Sequence, residues 1–410
     1  MEKGVLIPNL FKTEYRKIVS VLCKLFGLVH IEIAEDITND TFLLASETWG
    51  QKGIPENPKA WLYIVAKNKT KDYLKRHHNY IYNITPQIKG YQVNFEELDL
   101  DLSEKNMNDS QLQMIFAICN DVIPSNAQIG LALRILCGFG IEEIAEAFLT
   151  TKQTINKRLF RAKEKLRSAN IKIEFPSEKE IDKRLDNVLI IIYLLFNEGY
   201  YSSSKNTPLK KDLCIEAMRL LYLLIQNKKT NLPRCNALLS LMCFHASRFD
   251  SRIDKEGKYV LYFNQKKQNW NKDLIVKGEY YLNESAKGNE ITKYHLEAKI
   301  AFWHSRENDT IEKWENILQL YNRLLQIQYS PIIALNRTYA LSKANGKKIA
   351  LKEALKIDLK HNGFYHSLMA ELYNEIDNDK QKEHLEKAIK LTQNKTGKEL
   401  LTSKFKNNNY

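Results

Sequence analysis

The 410 residues carry 62 Lys and Arg against 49 Asp and Glu, a formal net charge of +13. A hydrophobic share of 44% with 27% charged residues excludes a disordered chain, and the length suits two or three domains. With only 15 Gly and 9 Pro, tight turns are too few for an all-β protein, and an all-α chain is expected.

Residues 11–49 read as two helices. The first carries Ile18, Leu22, Leu25 and Phe26 at helical spacing, and the second, Ile33–Trp49, has an acidic polar side of Glu32, Glu35, Asp36, Asp40 and Glu47. After a Gly/Pro loop, Asn57 and Pro58 read as cap and first position of a third helix, running from Ala60 to His78. Residues 79–110 read as an acidic linker, and helical pattern returns at Gln111–Val122, Ser125–Gly138, Ile141–Phe148 and Lys152–Ala169. From about Phe175 the pattern is helix after helix: Ile181–Glu198, Leu209–Gln226, Pro233–Phe249, Leu274–Ser285, Ile291–Ser305, Ile311–Gln328, Pro331–Ala344, Phe364–Glu375 and Lys380–Thr392. Successive helices of this length, joined by short polar turns, have the look of an α-solenoid, with a degenerate tetratricopeptide rhythm in 366–394.

The longest fully apolar run, Val188–Phe196, is too short to span a bilayer, and no signal peptide is visible. Cys23, Cys119, Cys137, Cys214, Cys235 and Cys243 form no CxxC pair, so buried reduced thiols in a cytoplasmic protein are expected. Cys243 and His245, two apart on one helix, point to different faces and do not share a metal. No nucleophile–base–acid set, glycine-rich phosphate loop or HExxH motif is present, and the chain is read as no enzyme, with no metal and no cofactor.

The sharpest local signal is Gly138–Arg167. Ile141, Ile144, Ala145 and Phe148 form one buried stripe, Leu149-Thr150-Thr151 a tight turn with Thr151 as cap, and Ile155, Leu159, Ala162 and Leu166 a second stripe. The opposite face of the second helix carries Gln153, Asn156, Lys157, Phe160 and Arg161, with Lys152, Arg158 and Lys163 on its flanks. Lys152–Arg167 holds seven cations and one acid. This is the pattern of a helix-turn-helix whose amides and cations suit base edges and phosphates; a basic helix merely facing solvent is the alternative. The stretch from Lys59 to Arg76 interleaves six cations with Trp61, Tyr63 and Tyr73. That mixture suits unstacked bases, although an amphipathic helix with core aromatics reads the same way.

The order AEDITNDTFLLASE, NPKAWLYIVAKNKTKDYLKR, acidic linker and basic helix-turn-helix resembles a bacterial sigma-70-family factor of the extracytoplasmic-function group. AFLTTKQTINKRLFRAKEKLR followed by YLLFNEGYYSS resembles the subgroup with a long helical, tetratricopeptide-like C-terminal extension. The resemblance implies region 2 at 1–80, a linker at 81–110, region 4 at 111–172 and a regulatory extension at 176–410. It implies that Asp36, Asn39, Asp40 and Phe42 bind core RNA polymerase at the β′ clamp helices, Asn39 standing where the family usually has Gln. It places Trp61, Lys67, Asn68, Lys69 and Lys71 on the melted −10 element, and Lys152, Gln153, Asn156, Lys157, Arg158 and Arg161 on the −35 element. The implied partners are core polymerase (β′ clamp helices and β flap), promoter DNA, and on the extension a small YCII-related protein or an unidentified ligand, with no membrane. A helix-turn-helix regulator with a helical-repeat sensor, acting on duplex DNA without polymerase, is the alternative function.

Two features stay open on the sequence. The family motif Asn197, Glu198, Gly199 and Tyr200 reads as a helix end, with Gly199 as left-handed cap and Tyr200 packing back, or else as a docking or ligand site. Residues 1–175 hold 23 cations and 21 acids, whereas 176–410 hold 39 and 28, so most of the positive charge lies outside the DNA-reading motifs.

Overall fold

Lys3–Phe26 forms α1, which buries Ile18, Val19 and Leu22. The chain turns at Gly27, whose φ of +80° suits a residue without a β-carbon, into α2 (Ile31–Lys52). α3 (Pro58–Ile84) opens as its sequence dictates: the Asn57 side chain accepts from the Ala60 N–H at 3.1 Å, and Pro58 takes the first position, where no N–H is missed. The computed structural model describes residues 3–27, 30–84, 101–148, 150–200, 211–254, 260, 262–392, 398–399 and 401–402. Most of the expected acidic linker therefore lies outside the described residues. Its last part does not behave as a linker, because α4 spans Glu104–Ile118, with the Ser103 hydroxyl accepting from the Asn106 N–H at 3.3 Å.

The expected helix 125–138 is two pieces. α5 (Ser125–Leu131) widens into a π-turn at Ala132–Leu136, where the Cys137 N–H reaches back to the Ala132 carbonyl at 3.0 Å, and the chain leaves through Gly138 at φ +73°. α6 (Ile141–Ala147) and α7 (Lys152–Ser168) follow, then α8 (Glu178–Tyr200). The chain forms two compact units, 1–191 and 192–410. In the first, α1 packs on α2, α3 and α4, and α5 packs on α7.

The second unit continues with α9 (Lys211–Gln226), α10 (Pro233–Ala246), α11 (Lys272–Ser285), α12 (Lys293–Ser305), α13 (Ile311–Ile327), α14 (Pro331–Asn345), α15 (Lys347–Ala354), α16 (Gly363–Tyr373) and α17 (Asn378–Leu391). Starts are set locally. Pro233 and Pro331 open α10 and α14, while Asn271, Thr310, Asn362 and Asp377 cap α11, α13, α16 and α17 with side-chain oxygens. Most of these helices pack on their chain neighbours, and α12 also packs closely on α10, around a core that includes Trp314, Ile317, Leu341, Met369 and Leu372. Among the described residues there is no strand, and no helix is long and apolar enough to cross a membrane. All six cysteines are buried free thiols, and burial pushes Cys119, Cys214 and Cys243 up to about 12.

A close helix contact in this unit depends on Gly278. The Ser240 hydroxyl of α10 donates to the Gly278 carbonyl of α11 at 2.7 Å, and a β-carbon on Gly278 would sit 2.7 Å from the buried Phe244 ring. We expect Gly278→Val to destabilise the chain by about 1–3 kcal/mol, the usual cost of overpacking. Chemical denaturation measures it. Gly50→Ala, where a β-carbon meets nothing within 4 Å, is the neutral control.

Candidate nucleic-acid interface

The buried stripe of α7 is Ile155, Leu159, Ala162 and Leu166, the set its spacing predicts. Gly130 of α5 lets this stripe approach, since a β-carbon there would lie 3.1 Å from the Leu159 side chain. The Thr151 hydroxyl accepts from the Thr154 N–H at 3.2 Å and fixes the start of the helix. Lys152, Gln153, Asn156, Lys157, Phe160 and Arg161 are then all exposed, Phe160 at 64%. Lys152 pairs with Glu142 of α6, an exposed contact of small energetic weight.

Three cations of α7 turn away from its outer face and make contacts inside the first unit. The Arg158 guanidinium lies 5.2 Å over the Phe148 ring and is half-buried, so it braces α6 against α7. Lys163 and Arg167 turn towards α2: Lys163 meets Glu35 at 2.5 Å, and Arg167 meets Glu32 at 2.9 Å. Arg134, from the π-turn, adds a second cation to Glu35 at 3.2 Å and lies 5.8 Å over the Tyr15 ring. The polar side of α2 is therefore split. Glu32 and Glu35 hold the first unit together, and Asp36, Asn39, Asp40 and Glu47 remain exposed.

Phe42 does not belong to that exposed set. It is 5% exposed and packs against Phe11 and Tyr15, with ring centroids 5.0 and 6.4 Å away. In its place the surface presents Leu43, 59% exposed and beside Asn39 and Asp40 on the helix. A helical wheel carries this signal, but in the run Phe42-Leu43-Leu44 the exposed position does not stand out from the buried one.

On α3, Leu62, Ala66 and Thr70 face inward, and Asn68 is exposed beside half-buried Lys67, Lys69 and Lys71. Trp61 is half-buried, edge-on to buried Trp49 at 5.4 Å, so part of its ring is core. Ile64, one turn before Asn68, is 60% exposed and was not singled out by the sequence. Lys69 pairs with Asp40 at 3.6 Å, which brings one cation of the α3 set against the α2 stripe.

α3 is locked to α1 through Glu14, whose side chain is fully buried. Tyr63 donates its hydroxyl proton to this carboxylate, and Lys17 and Lys59 lie 3.1 and 3.4 Å away. Burial works to raise the Glu14 pKa, but the Tyr63 hydroxyl and the two ammonium groups outweigh it and hold it below the ordinary carboxylate value. Stability from this depressed pKa is fully present above the unfolded value and is lost as pH falls through the folded one. We therefore expect Glu14→Gln to cost about 3 kcal/mol at neutral pH, with the gap to the parent closing as pH falls. Denaturation curves at a series of pH values test this, and a gap independent of pH would refute the assignment.

In the second unit the motif 197–200 departs from the capping reading. Gly199 lies inside α8, and positive φ among the described glycines occurs only at Gly27, Gly53, Gly138, Gly288 and Gly346. Tyr200 does pack inward, 2% exposed and stacked on Phe196 at 5.6 Å. Residues 201–203 of the longer motif lie outside the described residues.

Residues 10–80 match the family described as sigma-70 region 2, and residues 124–166 match sigma-70 region 4. Residues 184–286 match a family of unknown function. An uncharacterized protein of Rhizobium meliloti is 30% identical over 361 residues, covering 85% of this chain and 83% of its own. An ECF RNA polymerase sigma-E factor of Haemophilus influenzae is 31% identical over 107 residues, 25% of this chain and 57% of that protein. No solved structure matches the chain significantly.

Proposed function

We propose a division of labour among the surfaces of this chain, which belongs to the sigma-70 family and is an RNA polymerase sigma factor of the extracytoplasmic-function type with a C-terminal extension. The outer face of α7 reads the −35 element as duplex. Gln153 and Asn156 offer amides to adenine edges, Lys157 and Arg161 reach guanine or phosphate, and Lys152 adds a phosphate contact. The exposed stripe of α3 takes the −10 element, with Asn68 hydrogen-bonding an extruded base and Lys67, Lys69 and Lys71 tracking the single strand. The stripe Asp36, Asn39, Asp40 and Leu43 docks on the basic β′ clamp helices of core polymerase, and region 4 meets the β flap. The factor performs no covalent chemistry: it binds unstacked bases and shifts a melting equilibrium, and polymerase makes the RNA. In the cytoplasm the extension modulates this activity, through a small YCII-related protein or a ligand.

The observation that supports the reading best is the separation of faces. α7 anchors itself with one apolar stripe and two inward cation pairs, leaving its N-terminal half exposed with the residue types that read base edges. The test is footprinting of promoter DNA with chain alone, core polymerase alone, and both. Protection of both elements only with both components is expected. Equal protection by the chain alone would instead favour a regulator acting on duplex DNA.

A further inference from the structure

The second unit contains a cavity of about 330 Å³ between α8, α10, α12, α13 and α14, within the size range of small-molecule sites. One end is cationic. The Arg248 guanidinium lies 5.5 Å over the Tyr262 ring, donates to the Tyr200 hydroxyl at 3.3 Å, and meets no carboxylate among the described residues. Lys313, 2% exposed, backs the same end, donating to the Tyr262 hydroxyl and the Arg306 carbonyl, each at 3.0 Å. Between them His304 holds its ring edge-on to Tyr262, and its Nδ1 is buried with no hydrogen-bond partner among the described residues.

This charge is poorly answered. Burial first, then Arg248 and Lys313, push the His304 pKa down to about 3, and burial with Arg248, Arg252 and His304 lowers His245, so both imidazoles are neutral. Asp309 pulls the Lys313 pKa up, yet burial, Lys267 and Arg248 leave it lowered to about 8. The cavity's own carboxyl, Glu297, is pushed up to about 6 by burial against the pull of Lys293 and Tyr193, so the groups that answer its charge are those two and not Arg248 or Lys313. Lys313 is buried with Asp309 as its acidic neighbour, whereas half-buried Arg248 meets no carboxylate among the described residues, so an anion entering from outside would supply the counter-charge that Arg248 lacks.

We propose that this cavity binds a small organic anion, its carboxylate or phosphate on Arg248 and His304 and its apolar body against Phe196, Met242 and Ile300. A guanidinium fork and an imidazole N–H are both donors that suit an oxyanion. The motif at 197–200 thereby gains a role, since Asn197 lines the cavity and the Tyr200 hydroxyl holds Arg248 in place. The proposal does not depend on the DNA-reading assignments.

The test is calorimetric titration and thermal unfolding of the full chain with benzoate, phenyl phosphate and the neutral benzyl alcohol. The two anions are expected to bind and to raise the unfolding temperature, and benzyl alcohol to do neither. The stronger of the two anions identifies the headgroup. Arg248→Met should weaken anion binding at least tenfold. Because Arg248 also supports Tyr200, a second variant, Ile300→Trp, fills the cavity without touching a charge and should abolish binding. Failure of both anions to bind the parent chain at millimolar concentration would overturn the proposal, as would binding that survives in a folded Arg248→Met or Ile300→Trp variant.

Discussion

Reversing two charges on α7, with Lys157→Glu and Arg161→Glu together, should reduce promoter-directed transcription about a hundredfold or more and leave the unfolding temperature unchanged. Both side chains are exposed and neither takes part in an ion pair among the described residues, so no native contact is lost. A specific base or phosphate contact is worth about 1–3 kcal/mol, and replacing each cation with an acid adds repulsion from the backbone. The inner cations of the same helix should behave in the opposite way. Arg158→Met removes the contact over Phe148, and its first effect should be on stability. If Lys157→Glu with Arg161→Glu leaves −35-dependent transcription intact, the assignment of this face to DNA fails.

The second large effect separates opening from recruitment. Asn68→Ala should abolish the open complex, measured by permanganate reactivity of unpaired thymines, while the chain still binds core polymerase with unchanged affinity. Its amide is exposed on α3, and in the proposed role its removal would leave an extruded base without a partner for its Watson–Crick edge. Asp36→Lys with Asp40→Asn should do the reverse, weakening polymerase binding at least tenfold through loss of charge complementarity. Asp40 also meets Lys69 at 3.6 Å, an exposed pair whose loss costs little stability. Loss of polymerase binding in Asn68→Ala would contradict the division of the two surfaces.

How much of this was legible in the sequence differs from helix to helix. α7 was readable almost residue by residue, because its apolar stripe is strict, its cap is a Thr and its outer face is polar apart from Phe160. α2 was readable as a helix but not as a surface. Phe42 sits among acids in the chain yet turns towards Phe11 and Tyr15, and Glu35 is buried because Arg134 and Lys163 reach it from about a hundred residues away or more. Pairs so distant in sequence leave no local signal. α15 was missed because its buried positions, Ala350 and Ala354, carry little hydrophobic contrast. The start of α4 was hidden by the acids around it. At 197–200 the Gly invited a capping reading, but burial of Phe196 and Tyr200 carries α8 through that position.

Whether this chain confers promoter specificity on RNA polymerase is tested most directly by in vitro transcription from a randomised promoter library with purified core enzyme. With the full chain present, transcripts should start downstream of a shared pair of −10 and −35 sequences absent from core enzyme alone, and Asn68→Ala should remove them. Start sites that are the same with and without the folded chain would contradict this central claim.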